Sequence, residues 1–400
     1  MIATEQKTIP KGWEAKKIKD LLSYERPDAY IVKNDSYTSD AKTPVLTANK
    51  SFVLGYTDED FGICKTVPVI IFDDFTTDSK YVDFPFKIKS SAIKILRSRS
   101  EYPNLKFLFE LIRSINFPIG NHKRYYISEF QDIDVIVPPW KEQQKISEIL
   151  SIIDNEIQKT EEIISQTEKL KSGLMQDLLT RGVGHKEFKK TNVGMIPKEW
   201  RVVAVKSVTK IITKGTTPTT YGHLFTNEGI NFFKIENIDN NGNIDLSKCK
   251  HISETTHQFL RRSQLLCNDV LFSIAGAIGR IAIVRKEHLP ANTNQAIAII
   301  RPTEDINPIY LAKILGSDFA QRQVMDKVVQ LAQANINLER LGLILIPLPT
   351  LSEQKKITDI LLSIDQKITT DTKYKKVLIK LKKGLVSDLL SGKVRTKPNK

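Results

Sequence analysis

Residues 138–158 read PPWKEQQKISEILSIIDNEIQ and residues 349–369 read PTLSEQKKITDILLSIDQKIT. After a divergent middle they run into KLKSGLMQDLL (169–179) and KLKKGLVSDLL (380–390). Aligned without a gap at an offset of 211 residues, 18 of 42 positions are identical, so the chain carries one long phrase twice. Apolar residues step by three and four in both copies, which is the signature of a helix with one apolar stripe. The expected stripe is Ile146, Ile149, Leu150, Ile153, Ile157, Ile164, Leu170, Leu174 and Leu178 in the first copy and Ile357, Ile360, Leu361, Ile364, Ile368, Tyr374, Leu378, Leu381, Leu385 and Leu389 in the second. A helix of that length is roughly 63 Å long. A rod with so narrow a stripe needs a partner, and its own copy is the economical one. Periodicity leaves the direction of pairing open, and the alternative is that each helix packs only on its neighbouring domain.

Working outward, the repeat extends beyond the helices. Ile9-Pro10-Lys11-Gly12-Trp13 returns as Ile196-Pro197-Lys198-Glu199-Trp200, which reads as a proline turn with a tryptophan plugging the start of a domain. The Gly- and Lys-rich stretch 182–195 between the halves reads as a linker. Inside each half lies a block whose wording differs from the other. TPVLTANKSFVLGYTD, VPVIIFDDF, KYVDFPFKI and AIKILRS read as strands, NLKFLFELIRSI as a helix and DIDVIVP as a last strand feeding the long helix. In the second block INFFKIENI, DVLFSIAGAIGRIAIV and QAIAIIRP read as strands, NPIYLAKILGSDFAQRQVMDKVV as a helix, and LGLILIP takes the place of DIDVIVP. The expected divisions are 1–138, 139–181, 182–195, 196–348, 349–391 and a basic tail, 392–400.

Composition bounds the function. The chain has 400 residues, 40% of them hydrophobic, enough for two or three domains. Cys64, Cys249 and Cys267 are scattered and without metal-ligand spacing, which suits a reducing cytosol and argues against structural zinc. No apolar run is long enough to span a bilayer, so a cytoplasmic protein is expected. The net charge of +14 points to a polyanionic partner. It is unevenly spread, with 11 Lys/Arg against 2 Asp/Glu in the last 35 residues; a solvated helix face with a frayed tail explains that run equally well.

The sequence carries no recognisable enzyme constellation. Lys214-Gly215-Thr216-Thr217 lacks the glycine spacing of a phosphate loop. Gly276 and Gly279 sit in a strand-like run and read as a tight turn. Val137-Pro138-Pro139-Trp140 offers valine where an amino-methyltransferase motif needs an Asn or Asp acceptor, so the prolines read as punctuation between strand and helix. Asp73-Asp74 has no neighbouring lysine of nuclease spacing and is expected in a solvated loop. The six histidines form no triad-like or metal-binding motif.

The phrase E-Q-x-K-I-x-x-I-L, Glu142–Leu150 and Glu353–Leu361, alternates with divergent α/β blocks and resembles the specificity subunit of type I restriction-modification systems. The resemblance covers nearly the whole chain. It implies an α+β fold class: two globular α/β target recognition domains separated by two long helices that pair as an intramolecular antiparallel coiled coil, with a pseudo-two-fold internal repeat. It also implies that each domain reads half of a bipartite, asymmetric site on double-stranded DNA, and that the helices set the gap. Two modification (methyltransferase) subunits would dock there, joined by ATP-driven restriction/translocase subunits. This chain would hold no cofactor; S-adenosylmethionine, ATP and Mg are expected on those partners.

Bases are read by side chains with paired donors and acceptors, and phosphates are gripped by Lys and Arg. Polar residues on loops beside the strands are therefore the candidates for DNA contact. They are Thr47, Lys50, Thr76, Lys123 and Arg124 in the first block, and Lys214, Thr216, Asn237, Ser273, Arg280, Asn292, Asn294 and Gln295 in the second. The helix-pair interface is expected at Ile146, Leu150, Ile153, Ile157, Leu170, Leu174, Ile357, Leu361, Ile364, Ile368, Leu381 and Leu385. A coiled-coil adaptor that binds only proteins is the rival reading. It leaves unexplained why two matching frames carry unlike inserts.

Overall fold

The duplicated phrases are helices, Trp140–Arg181 and Leu351–Leu390. A computed structural model of the chain describes residues 9–34, 36–38, 40–48, 51–101, 103–120, 123–329 and 335–396. It separates into two units, residues 1–162 with 372–400 and residues 163–371. The boundary cuts through both long helices. Each unit therefore owns the start of one helix and the end of the other, which differs from the expected division into whole helices and whole domains.

Both units repeat one topology in unlike sequence. In the first, strands Leu22–Glu25, Ile93–Ser98, Val69–Asp73 and Ser79–Val82 form an antiparallel four-stranded sheet in that spatial order; in the second, Thr209–Lys214, Ile297–Pro302, Val270–Ser273 and Ile281–Ile283 do the same. A mixed three-stranded sheet follows in each, Val53–Thr57, Thr43–Leu46 and Lys87–Ile88 against Lys250–Ile252, Ile230–Phe233 and Ala291–Thr293. The run VIIFD is buried along its whole length because its sheet is covered on both faces. Ile70 and Phe72 join the core containing Phe107 and Leu108 of helix Leu105–Ser114, while Val69 and Ile71 face Leu46 and Ile88 of the small sheet. In the second unit Val270 and Phe272 meet Tyr310 and Leu311, and Leu271 meets Phe233 and Ala291.

The repeated tryptophans plug the domain starts as expected. Trp13 and Trp200 are buried, and each backbone N–H closes a turn on Pro10 or Pro197 at 3.0 Å. The strand after each tryptophan pairs antiparallel with the strand before each long helix, Glu14–Lys17 with Asp134–Val137 and Arg201–Ala204 with Leu345–Leu348. Gly276 and Gly279, at φ +68° and +90°, make the turn between Val270–Ser273 and Ile281–Ile283. Two expectations need correction, and one alternative does not hold for the described residues. The stretch 182–195 is largely a β-hairpin, Phe188–Thr191 with Gly194–Pro197, not a bare linker. The helix expected over 307–329 is two, Pro308–Leu315 and Asp318–Val329, separated at Gly316 and Ser317. The start of the tail is not frayed, since Arg395 clasps Glu142 with two hydrogen bonds of 2.8 and 2.9 Å; residues 397–400 lie outside the described chain.

Within each unit the two helix segments run antiparallel. In the first, Arg395, Lys382 and Lys375 pair with Glu142, Asp154 and Glu161, so partners descend as the first helix ascends. In the second, Asp365 pairs with Lys171, and Glu353 accepts hydrogen bonds from Val183 N–H at 3.1 Å and pairs with His185 at 2.7 Å. The same segments also enter the domain cores: Ile146, Leu150 and Leu389 in the first, Leu178, Ile357 and Leu361 in the second. Pairing with the copy and packing on a domain thus occur together.

A row of shielded positions recurs at 146, 150, 153, 157, 160, 164, 167, 171, 174 and 178, and again 211 residues later, in alternating steps of three and four. Leu170 and Leu381 fall off this row. They are 57% and 48% exposed, a correction to the expected interface. Their neighbours Lys171 and Lys382 take the seam, with aliphatic stems covered and ammonium groups on Asp365 and Asp154, each at 2.7 Å. A stripe with period 3.5 excludes the leucines, because one residue is about 100° of turn. No described helix is long and apolar enough to cross a membrane.

Truncating Leu170 to alanine is expected to change unfolding free energy by no more than about 0.5 kcal/mol, whereas Ile357→Ala, which hollows a core, costs about 2–5 kcal/mol. Urea unfolding of the full chain checks both. Burial works against the Asp365 carboxylate, but hydrogen bonds from Lys171 and Lys313 outweigh it and hold its carboxyl below the usual aspartate range. That depressed value stabilises the fold above the unfolded-state value near 3.8, and the contribution fades as pH falls through the folded one. Asp365→Asn should therefore lower the urea midpoint at pH 7, and the gap to the parent should shrink below about pH 4.

Candidate nucleic-acid interface

Asp73 and Asp74 build the first cluster, and they are buried rather than solvated. Asp73 Oδ1 accepts the N–H groups of Phe75 and Thr76 at 2.9 Å, which shapes the turn after strand Val69–Asp73. Asp74 Oδ1 accepts Tyr126 N–H at 2.8 Å, its Oδ2 lies 3.3 Å from Lys94 Nζ, and its carbonyl accepts Tyr125 N–H at 2.8 Å. The pair thus fastens the turn at 74–76 to the segment 123–126. Thr76 and Arg124, far apart in sequence, are brought together there and are exposed, with the Arg124 guanidinium 5.8 Å from the Phe75 ring centre. Lys123 is also exposed. Its ammonium lies over the Tyr125 ring, and a hydrogen bond to Glu129 pushes its pKa up. Thr47 is half-buried between strands Thr43–Leu46 and Val53–Thr57, with its N–H on the Phe52 carbonyl; Lys50 lies outside the described residues.

The second cluster forms around Gly215. A Cβ there would come within 2.0 Å of the Thr293 carbonyl oxygen and 2.3 Å of that of Asn294, so only glycine lets the two segments touch. This contact sets Lys214 and Thr216 beside Asn294 and Gln295. Thr216 N–H donates to Thr293 O at 3.0 Å, Thr216 Oγ1 accepts from Arg262 Nη2 at 3.1 Å, and Thr217 Oγ1 donates to Gln295 Oε1. Lys214 and Gln295 are exposed. Arg262 and Thr217 were missed in the sequence, although Arg261-Arg262 after Phe259 is a basic pair beside an aromatic, the same signal that singled out Lys123-Arg124.

Four expected contacts are spent inside the fold. Asn237, fully shielded, accepts from Lys234 N–H at 2.8 Å and donates to Asp245 O at 3.2 Å. Ser273 accepts from Arg280 N–H and donates to the Ala277 carbonyl, closing the Gly276–Gly279 turn. Asn292 donates to Leu260 O and Ser263 Oγ and shares a hydrogen bond with His257. Arg280 turns its Nη1 onto the carbonyls of Ile235 and Ile238. A buried polar group must be hydrogen-bonded, and these side chains supply such bonds to loop backbone. Asn237, Ser273 and Asn292 therefore face away from any partner, while Arg280, only half-buried, is a loop brace.

The most informative missed residues are the first two of the repeated helix phrase. Glu142 and Glu353 accept the indole N–H of Trp13 and Trp200 at 3.1 and 2.9 Å. Gln143 and Gln354 accept the backbone N–H of Asn104 and Asn307, the N-caps of helices Leu105–Ser114 and Pro308–Leu315. Among the described residues no group of three His, Cys, Asp or Glu is placed to hold a metal. The surfaces can offer cations, hydroxyls and amides to a polyanion, which is chemistry of recognition.

The model of the type I restriction modification DNA specificity domain matches residues 10–169 and 197–380, once per half of the chain. The specificity subunit of the type I restriction enzyme EcoR124I/EcoR124II from Escherichia coli is 30% identical over 364 residues, 86% of this chain and 85% of its own length. That of MjaVIII from Methanocaldococcus jannaschii is 27% identical, with 97% of this chain and 94% of its own length covered. In fold, the chain resembles the crystal structure of the type I restriction-modification S subunit from M. genitalium, with TM-score 0.62 and 14% identity over 97% of this chain and 98% of that one. It also resembles a chain from a structure on complex assembly and conformational transition of the type I system, with TM-score 0.57 and 16% identity over 96% and 99%. The chain belongs to the family of type I restriction-modification DNA specificity subunits, the non-catalytic members that partner DNA and the other subunits of those systems.

Proposed function

We propose that this chain gives a cytoplasmic type I restriction-modification complex its address on DNA by reading a bipartite, asymmetric site, one half per unit. The observation that carries the reading is one strand topology built twice with unlike residues at the two clusters, exposed Thr76 and Arg124 in one, half-buried Thr216 with exposed Arg262 and Gln295 in the other. Two readers of the same design and different wording suit two different words. Arginine and lysine there would hold phosphates, and threonine and glutamine would meet base edges. The antiparallel helices would fix the gap between half-sites and give the modification subunits a docking face, with restriction subunits joining them. S-adenosylmethionine, ATP and Mg would be held by those partners.

Replacing Lys123 and Arg124 together by alanine should weaken DNA binding and alter only one half of the methylated motif. Methylome sequencing of a host carrying the variant reads this, and full methylation of the parental motif counts against the assignment. Inserting seven residues at matched points of both long helices keeps the seam in phase and lengthens the rod by about 10 Å. The gap in the methylated motif should then grow by about 3 base pairs, at roughly 3.4 Å per pair. An unchanged gap would refute the ruler role.

A further inference from the structure

Beside the Gly215 cluster, the second unit exposes large apolar side chains that no core contact explains. Tyr221 is 57% exposed, Leu224 77% and Phe259 56%. They stand on two segments that touch. Tyr221 and His223 pack on the Phe259 ring at centroid distances of 5.5 and 4.7 Å, and His223 is tied at 3.1 Å to Thr256 of helix Glu254–Phe259. Gly222, at φ +77°, turns the chain between Tyr221 and His223. Phe225, the next residue after Leu224, packs on Phe232 at 5.3 Å and lies under the ammonium groups of Lys234 and Lys250 at 5.2 and 5.9 Å. Arg262, three residues beyond Phe259, reaches Thr216. The acids of these elements are Glu228, Glu236 and Glu254, all exposed; Glu236 lies 3.9 Å from Lys234 and Glu254 accepts from Gln258.

Exposed apolar groups concentrated at one place mark a binding surface. Cations on neighbouring residues, Lys234 and Lys250 over Phe225 and Arg262 on Thr216, select a polyanion with apolar faces, and stacked bases between phosphates have that chemistry. Phe and Leu side chains are also the residue types that enter base steps and kink a duplex, while aromatic rings stack on bases whatever their sequence.

We propose that Tyr221, Leu224 and Phe259 form a knob that packs into an unstacked base step of duplex DNA, with Arg262, Lys234 and Lys250 on the flanking phosphates. This rests on the DNA-reading role proposed above and adds a deformation of the DNA by one unit. The unstacking cost depends on which step is opened, so the knob would contribute sequence preference at a position without hydrogen-bonded base contacts.

The test uses the specificity subunit assembled with its modification subunits. The DNA is a duplex carrying the motif read from host methylation, with 2-aminopurine placed in turn at steps of each half-site. Apart from the target adenines, which the methyltransferase subunits would draw out of the stack, the parent should bind and raise 2-aminopurine fluorescence at one further step of one half-site. Leu224→Ser, and separately Tyr221→Ser with Phe259→Ser, should weaken binding about ten-fold or more and abolish that rise. Assembly on gel filtration should be unchanged, as should the melting temperature of Leu224→Ser, whose side chain supports no core. Unchanged affinity or unchanged fluorescence in the variants overturns the knob. Loss of assembly in Leu224→Ser also overturns it and gives the surface to a protein partner. A parental complex that binds no duplex overturns the DNA-reading role itself and the knob with it.

Discussion

A glutamate in the first turn of each long helix ties together three parts of its unit. Glu142 accepts the Trp13 indole and holds Arg395, 253 positions away; Glu353 accepts the Trp200 indole and holds Val183 N–H and His185. In each unit one carboxylate therefore joins the plug at the start of a domain to the chain that follows the other repeat's helix. The glutamine beside it adds the N-cap of the domain helix. Neither unit is completed by its own repeat alone. The antiparallel course of the helix segments follows, because the end of one helix must arrive where the other begins.

The ion pairs along the seam extend the same logic. Lys382 meets Asp154 in one unit and Lys171 meets Asp365 in the other, and the two pairs are related by the 211-residue offset, with the helix that supplies the lysine in one unit supplying the aspartate in the other. A third group differs. Glu110 joins the first pair and Lys313 the second, both from the helix whose N-cap asparagine the repeated glutamine holds. Charged residues in a largely apolar seam cost stability and fix register, since a slipped seam leaves a partly shielded charge alone. Duplication kept the frame and let the third partner diverge, as it did the exposed clusters.

Much of this was legible in the sequence because it rests on local periodicity. The strands VIIFD and IKILRS, the tryptophan plugs, the glycine turn at Gly276 and Gly279 and the two long helices follow from pattern and spacing. The failures share a cause. Apolar periodicity assigns Leu170 and Leu381 to the seam, yet the seam uses the stems of Lys171 and Lys382, whose charges find partners through pairing across more than 190 residues. Asn237, Ser273 and Asn292 looked like loop residues free to meet DNA, but burial had already committed them. Asp73 and Asp74 looked like a solvated pair, and their work is to hold the turn that carries Thr76. Polar side chains near strands are ambiguous until the long-range neighbours are known.

Each unit is closed by the other repeat's helix. A double-mutant cycle on Asp154→Asn and Lys382→Met, read by urea unfolding of the full chain, probes that closure at a pair 228 positions apart. Direct contact predicts strong non-additivity, with the double variant losing less than the two single variants together by about 0.5–3 kcal/mol. Losses that simply add, within about 0.5 kcal/mol, would mean the two helix segments do not meet there and would contradict the account.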